Sequence, residues 1–144
     1  MELKFQVQLK IRKPPAEVFA AVVDPRKLTG YFVQSASGPL AGGATVMWSF
    51  AEAPNPFPVT VIEVVENERI VFEWPAADYN TRVEMTFAPL DGDATMVRIA
   101  ESGWRDDEKG RELSYGNAGG WMHMLACLKA YLEYDINLRA GGSF

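Results

Sequence analysis

The stretch Trp121-Met122-His123-Met124-Leu125-Ala126-Cys127-Leu128-Lys129-Ala130-Tyr131-Leu132 sets Trp121, Leu125, Leu128 and Leu132 at i, i+4, i+7 and i+11. That is the spacing of one apolar stripe on an α-helix, and Met124 and Tyr131 widen it. The pattern predicts a single amphipathic helix over residues 117–138. A helix of that length must bury its stripe, and the rest of the chain offers only strands to bury it against.

Those strands are read from period-two alternation and from the turns between them. Leu3, Phe5, Val7, Leu9 and Ile11 alternate with polar neighbours, as a strand with one face on a core should. Pro14-Pro15 ends that strand. Proline suits the first turn of a helix, so residues 16–23 read as a short helix stopped at Asp24-Pro25, and residues 26–31 as a second. Strand-like runs follow at 44–50, 57–65, 69–74, 82–88 and 95–102. Gly42-Gly43, Pro54-Asn55-Pro56, Glu66-Asn67-Glu68 and Asp91-Gly92-Asp93 separate them, the last a strong hairpin signal. Connections this short favour antiparallel neighbours. The expected fold is α+β: a curved antiparallel β-sheet with two short helices, wrapped around a long C-terminal helix. The tail 140–144 is expected to fray.

Composition narrows the function. A chain of 144 residues with 48% hydrophobic and 23% charged content is expected to form one domain with one core. Its net charge of −5 argues against a phosphate-backbone binder, which needs clustered Lys and Arg, so no nucleic-acid partner is expected. The start Met1-Glu2-Leu3-Lys4-Phe5-Gln6 has no apolar run of signal-peptide type, and Val18 to Val23 is too short to span a bilayer. A cytoplasmic protein without membrane insertion is the expectation.

No catalytic set stands out. At about 100° per residue His123 falls about 160° from the middle of the stripe and is expected to face solvent, out of reach of a substrate. One histidine and one cysteine cannot make a structural zinc site, and Cys127 is expected to lack a nearby partner for a nucleophilic pair. Cys127 is read as a small residue at the core edge. Gly116, Gly119 and Gly120 are not followed by Lys-Ser/Thr, so they do not read as a phosphate loop. They are expected to let the helix start approach the sheet. No metal or other cofactor is expected.

Parity points to an apolar ligand. Ile70, Phe72 and Trp74 share one face of their strand, as do Val83, Met85 and Phe87, and both sets can look toward Trp121, Met124 and Leu125. Val97, Ile99 and Glu101 share parity as well, which brings a carboxylate to the inner face. The bland reading of Glu101 is a strand-end residue at the rim, solvated or paired with Arg98 or Arg105. For Val46, Trp48 and Phe50 against Thr45 and Met47, parity does not decide which set faces inward. The candidate ligand-binding residues are Phe72, Trp74, Met85, Phe87, Glu101, Trp121, Met124 and Leu125.

Four stretches together resemble the START-like, or SRPBCC, superfamily of helix-grip proteins. They are Lys13-Pro14-Pro15-Ala16-Glu17-Val18-Phe19 with Asp24-Pro25 and Leu28; Gly42-Gly43 before a strand; Glu68-Arg69-Ile70-Val71-Phe72-Glu73-Trp74; and Gly119-Gly120-Trp121 with Leu125, Leu128 and Leu132. Within that superfamily the likeness is to the C-terminal domain of the activator of the ninety-kilodalton heat-shock protein's ATPase. Tyr31-Phe32 stands where many relatives carry a tryptophan. The resemblance implies a cavity between sheet and helix that holds a small apolar or aromatic molecule, since members of the superfamily bind lipids, hormones and polyketides. It also allows a cyclase- or hydrolase-like enzyme with Glu101 as acid or base and Arg82, Arg98 or Tyr79 orienting the ligand. A third reading is an interaction module for a chaperone or client, with no stimulation of a chaperone ATPase expected, because the resemblance does not extend to the activator's N-terminal domain.

Overall fold

A computed structural model describes residues 2–142. Seven strands form one antiparallel sheet: β1 (Leu3–Ile11), β2 (Ser35–Ala36), β3 (Thr45–Phe50), β4 (Ala53–Val65), β5 (Arg69–Pro75), β6 (Asn80–Leu90) and β7 (Ala94–Trp104). Their order is β1-β7-β6-β5-β4-β3-β2, so every neighbouring pair but β1–β7 is also consecutive in the chain. Helices α1 (Pro15–Val23) and α2 (Pro25–Leu28) follow β1, and the long helix α3 (Glu108–Tyr134) follows β7. This is the helix-grip arrangement: the curved sheet closes its inner face on α3, whose backbone comes nearest to β1 and β7.

Inward parity sets the core. Ile70, Phe72, Val83, Met85, Phe87, Val97 and Ile99 are all buried beneath Met124, Leu125 and Leu128 of α3. On β3 the inward set is Val46 and Trp48, with Thr45 and Met47 exposed. Hairpin chemistry acts where expected: Asn67 and Asp93 have φ of 63° and 54°, and Gly92 has 77°, values that close the β4–β5 and β6–β7 turns.

Three boundaries differ from the sequence reading. Pro54-Asn55-Pro56 lies inside β4 and does not end it. The proline nitrogens break no ladder there, because β5 pairs with β4 only from Thr60 onward and the β3–β4 register shifts between Trp48 and Phe50. Helix α3 begins at Glu108, well before residue 117, where the apolar stripe suggested. Its first turn is fixed by polar chemistry: Asp107 accepts from the Gly110 backbone N–H at 2.7 Å, and a Cβ on Gly110 would lie 1.8 Å from the Arg105 carbonyl oxygen. It ends at Tyr134, where Asp135 adopts a left-handed conformation with φ 55°. Of the tail expected to fray, residues 140–142 are exposed and form a turn, with Gly142 N–H donating to the Arg139 carbonyl; Ser143 and Phe144 lie outside the described residues.

The C-terminal turns of α3 are tied to the end of β1 through Glu133. Its side chain is 3% exposed and accepts from Arg12 Nε at 2.6 Å, the Arg12 backbone N–H at 3.0 Å and Lys129 Nζ at 2.6 Å. Burial works to raise this carboxyl, but the hydrogen bonds from Lys129 and from Arg12 more than offset it and bring it down to about 2. A depressed carboxylate stabilises the fold fully above its ordinary value near 4.5, and the contribution is lost as pH falls through about 2. Because Arg12 is largely solvated, we expect Glu133→Gln to cost roughly 1–3 kcal/mol at neutral pH and progressively less below pH 4.5. Urea midpoints of both proteins between pH 7 and pH 2 check this; a gap that stays constant across the range contradicts it.

Candidate functional site

Between α3 and the β3–β4 hairpin the sheet and helix part, leaving a half-open cleft of about 380 Å³. Its apolar wall is made by Phe32, Phe50, Trp74 and Trp121, and its polar rim by Glu52, Asn117, His123 and Arg139. The space exists because α3 presents Gly116 and Gly120 here: a Cβ on either would meet nothing within 4 Å. The expectation that these glycines, with Gly119, bring helix and sheet together is therefore corrected. They face open space, while close approach is served by Gly110 against the Arg105 carbonyl and by Gly30 against the Tyr131 ring of α3.

Trp74 and Trp121 stack with centroids 5.1 Å apart and planes at 29°. Phe72 and Trp48 pack edge-on behind Trp74, and Phe32 reaches Phe50, Trp48 and Trp121. Both indoles are oriented by one buried group. Trp74 Nε1 and Trp121 Nε1 donate to Glu101 at 2.8 Å each, Asn117 Nδ2 donates at 3.1 and 3.3 Å, and Thr81 Oγ1 donates at 2.5 Å.

Glu101 is not at a rim. It lies within β7 opposite Val83 and Phe5, is fully buried, and has no ion pair among the described residues. The proposed partners are elsewhere, Arg98 on Gln8 and Arg105 on Asp78. An ionised carboxylate offers about four acceptor positions, and these donors fill them. A side chain so saturated positions its neighbours and has no free lone pair with which to take a substrate proton. Arg82 faces Glu73 outside the sheet, and Tyr79 lies under Arg105, so neither they nor Arg98 reach the cleft.

The structure thus places the sequence-predicted site residues in three groups. Trp74 and Trp121 line the cleft; Glu101 and Phe72 stand directly behind them; Met85, Phe87, Met124 and Leu125 are sealed in the core and do not reach it. Parity identifies an inner face but does not say which part of that face is left uncovered. Phe32, Phe50, Asn117, Glu52 and Arg139 were missed, though the aromatic pair Tyr31-Phe32 and the side-chain-free Gly116 and Gly120 were signals of where bulk and space would meet.

His123 is also corrected. It is half-buried and lines the cleft, because the opening lies on the flank of α3 and not along its apolar stripe. Its Nε2 lies 3.6 Å from Cys127 Sγ, so the cysteine has a neighbour that its spacing of four residues on a helix could have disclosed. Cys127 is fully buried, and burial pushes its thiol up, which disfavours the thiolate a nucleophile needs. Among the described residues no three His, Cys, Asp or Glu side chains gather to hold a metal, and no helix is long and apolar enough to cross a membrane.

A family model for activator of Hsp90 ATPase homolog 1-like proteins matches residues 12–133. The chain belongs to this family. Among solved structures, this member is similar to a Staphylococcus saprophyticus protein, with 27% identity over 95% of this chain and 96% of that one and a TM-score of 0.81. It is similar to DynU16, a protein in the dynemicin biosynthetic locus, with 25% identity and a TM-score of 0.79 over 92% of this chain but 48% of that one. The Aha1 dimer of Colwellia psychrerythraea shares the fold, at 17% identity over 92% and 97% of the two chains and a TM-score of 0.75. No curated protein matches the chain significantly.

Replacing Glu101 by Gln sets an amide NH₂ against donors that have nowhere else to turn. We expect a loss of about 1–3 kcal/mol, the cost of orphaning a buried donor, together with a shift in the emission of Trp74 and Trp121. Denaturation followed by tryptophan fluorescence measures both. An unchanged midpoint and spectrum would show that the carboxylate does not hold the indoles.

Proposed function

We propose that this protein binds a small, largely apolar aromatic molecule in the cleft between α3 and the β3–β4 hairpin. One observation carries the reading: four aromatic side chains frame an opening of about 380 Å³ that α3 leaves clear with Gly116 and Gly120. Ligand sites are concave and mostly apolar with few polar groups, and this volume is at the lower end of their range. It suits a molecule of one or two rings better than a two-chain lipid. Glycine in mid-helix costs roughly 0.5–1 kcal/mol relative to alanine, so a pair that touches nothing is a standing cost that an opening would justify. The DynU16 likeness supports the reading weakly, since that protein is in a locus for a biosynthetic product.

Thermal melts against a panel of one- and two-ring aromatics, flavonoids and fatty acids test the proposal. A ligand present at 100 times its Kd adds about 2.7 kcal/mol of stability. The expected result is a shift from aromatic members, with quenching of tryptophan emission. Gly120→Leu should fold, since its Cβ has room, but should fill the cleft and abolish the shift; Gly120→Ala should raise stability by roughly 0.5–1 kcal/mol. No shift from any compound, or a shift that persists in Gly120→Leu, would defeat it.

A further inference from the structure

The proposal here rests on the ligand-binding reading above and names the charge of the ligand. We infer that the cleft selects an organic cation, an ammonium group on an aromatic or alkyl body, and that Arg139 holds the cation position until such a ligand displaces it.

Charge is the first support. Glu52 and Arg139 face each other at the rim, Arg139 Nη2 donating to Glu52 Oε1 at 3.0 Å, and cancel. Glu101 behind the indoles is held by Trp74, Thr81, Asn117 and Trp121, all neutral, and no Lys or Arg reaches it among the described residues. A carboxylate without a cationic partner therefore stands behind the wall, where a low dielectric strengthens its interaction with a cation in the cleft.

The indoles are the second. A cation is drawn to the negative face of an aromatic ring, most strongly to tryptophan. Donating both ring N–H groups to one carboxylate increases the electron density of the two rings. These same rings line the cleft.

The third is a cation already seated on this wall. The Arg139 guanidinium carbon lies 5.9 Å from the Phe32 ring centroid and 5.8 Å from that of Phe50, while bonded to Glu52. Its side chain is 15% exposed, yet it comes from the short segment after Asp135 and not from a helix or strand. A carboxylate and two aromatic faces are what an ammonium would need, and displacement requires only that this segment move. An anionic ligand would instead face the charge of Glu101 and compete with Glu52 for Arg139.

Three near-isosteric probes separate the cases: phenyltrimethylammonium, tert-butylbenzene and benzenesulfonate, titrated by tryptophan fluorescence and NMR shift, with Gly120→Leu reporting whether binding is at the cleft. We expect the ammonium to bind about tenfold more tightly than tert-butylbenzene, with benzenesulfonate weakest. Glu52→Gln should shrink the preference for the ammonium over tert-butylbenzene, and Arg139→Gln should tighten the ammonium by removing its competitor. Equal binding of ammonium and hydrocarbon overturns the inference but leaves the cleft as a ligand site. So does a preference for benzenesulfonate lost in Arg139→Gln, or weaker ammonium binding in that variant. If none of the three binds, the inference falls, and the melts against the wider aromatic panel decide whether the cleft is a ligand site.

Discussion

Five hydrogen bonds converge on the carboxylate of Glu101, and the relation of α3 to the sheet depends on them. Trp74 brings β5, Thr81 brings β6, and Asn117 and Trp121 bring two successive turns of α3. A carboxylate taken out of water costs several kcal/mol unless its oxygens are satisfied. The sequence meets that demand with donors that have no other use in an apolar interior, two indole N–H groups among them. The consequence is directional: both indoles have one edge fixed inward and stack on each other in the wall of the cleft. Apolar packing alone would fix how deeply these rings sit but not how they are turned.

The far end of α3 solves a similar problem with different chemistry. Glu133 is almost as buried, but it is met by Arg12 and Lys129, which are cations with solvent at their backs. Ion pairs there anchor the helix end to β1 and add nothing to the inner face. At Glu101 a cation would have had to occupy the interior, and it would have neutralised the wall of the cleft. One helix is thus fastened twice, by charge pairing where water is near and by neutral donors where the opening lies.

How far the sequence discloses this differs by level. Strand parity reads out the inner face correctly at Ile70, Phe72, Val83, Met85, Val97 and Ile99, because burial on one side forces period two. The stripe Trp121-Leu125-Leu128 reads out the helix face for the same reason. What fails is anything decided by polar or absent side chains. The first turns of α3 carry no apolar period, so their helicity rests on the Asp107 cap. His123 was put in solvent by an angle measured from the apolar stripe, on the assumption that the cavity follows the stripe. The partners of Glu101 come from residues 16 to 27 positions away, and no local pattern names them.

The cleft itself shows why parity selects core more readily than site. A strong inward pattern marks side chains that fill space, and Met85, Phe87, Met124 and Leu125 fill it so well that nothing else can enter. An opening arises where filling stops, at Gly116 and Gly120, and where large rings on the facing elements are kept from collapsing into the gap. Trp74 and Trp121 are kept from collapsing by their bonds to Glu101. Phe32 and Phe50 are covered by Arg139, a cationic side chain laid across aromatic faces. The residues that make a site in this fold are therefore a carboxylate, two glycines and an arginine as much as the aromatics they arrange, and a search weighted by hydrophobicity passes over all four.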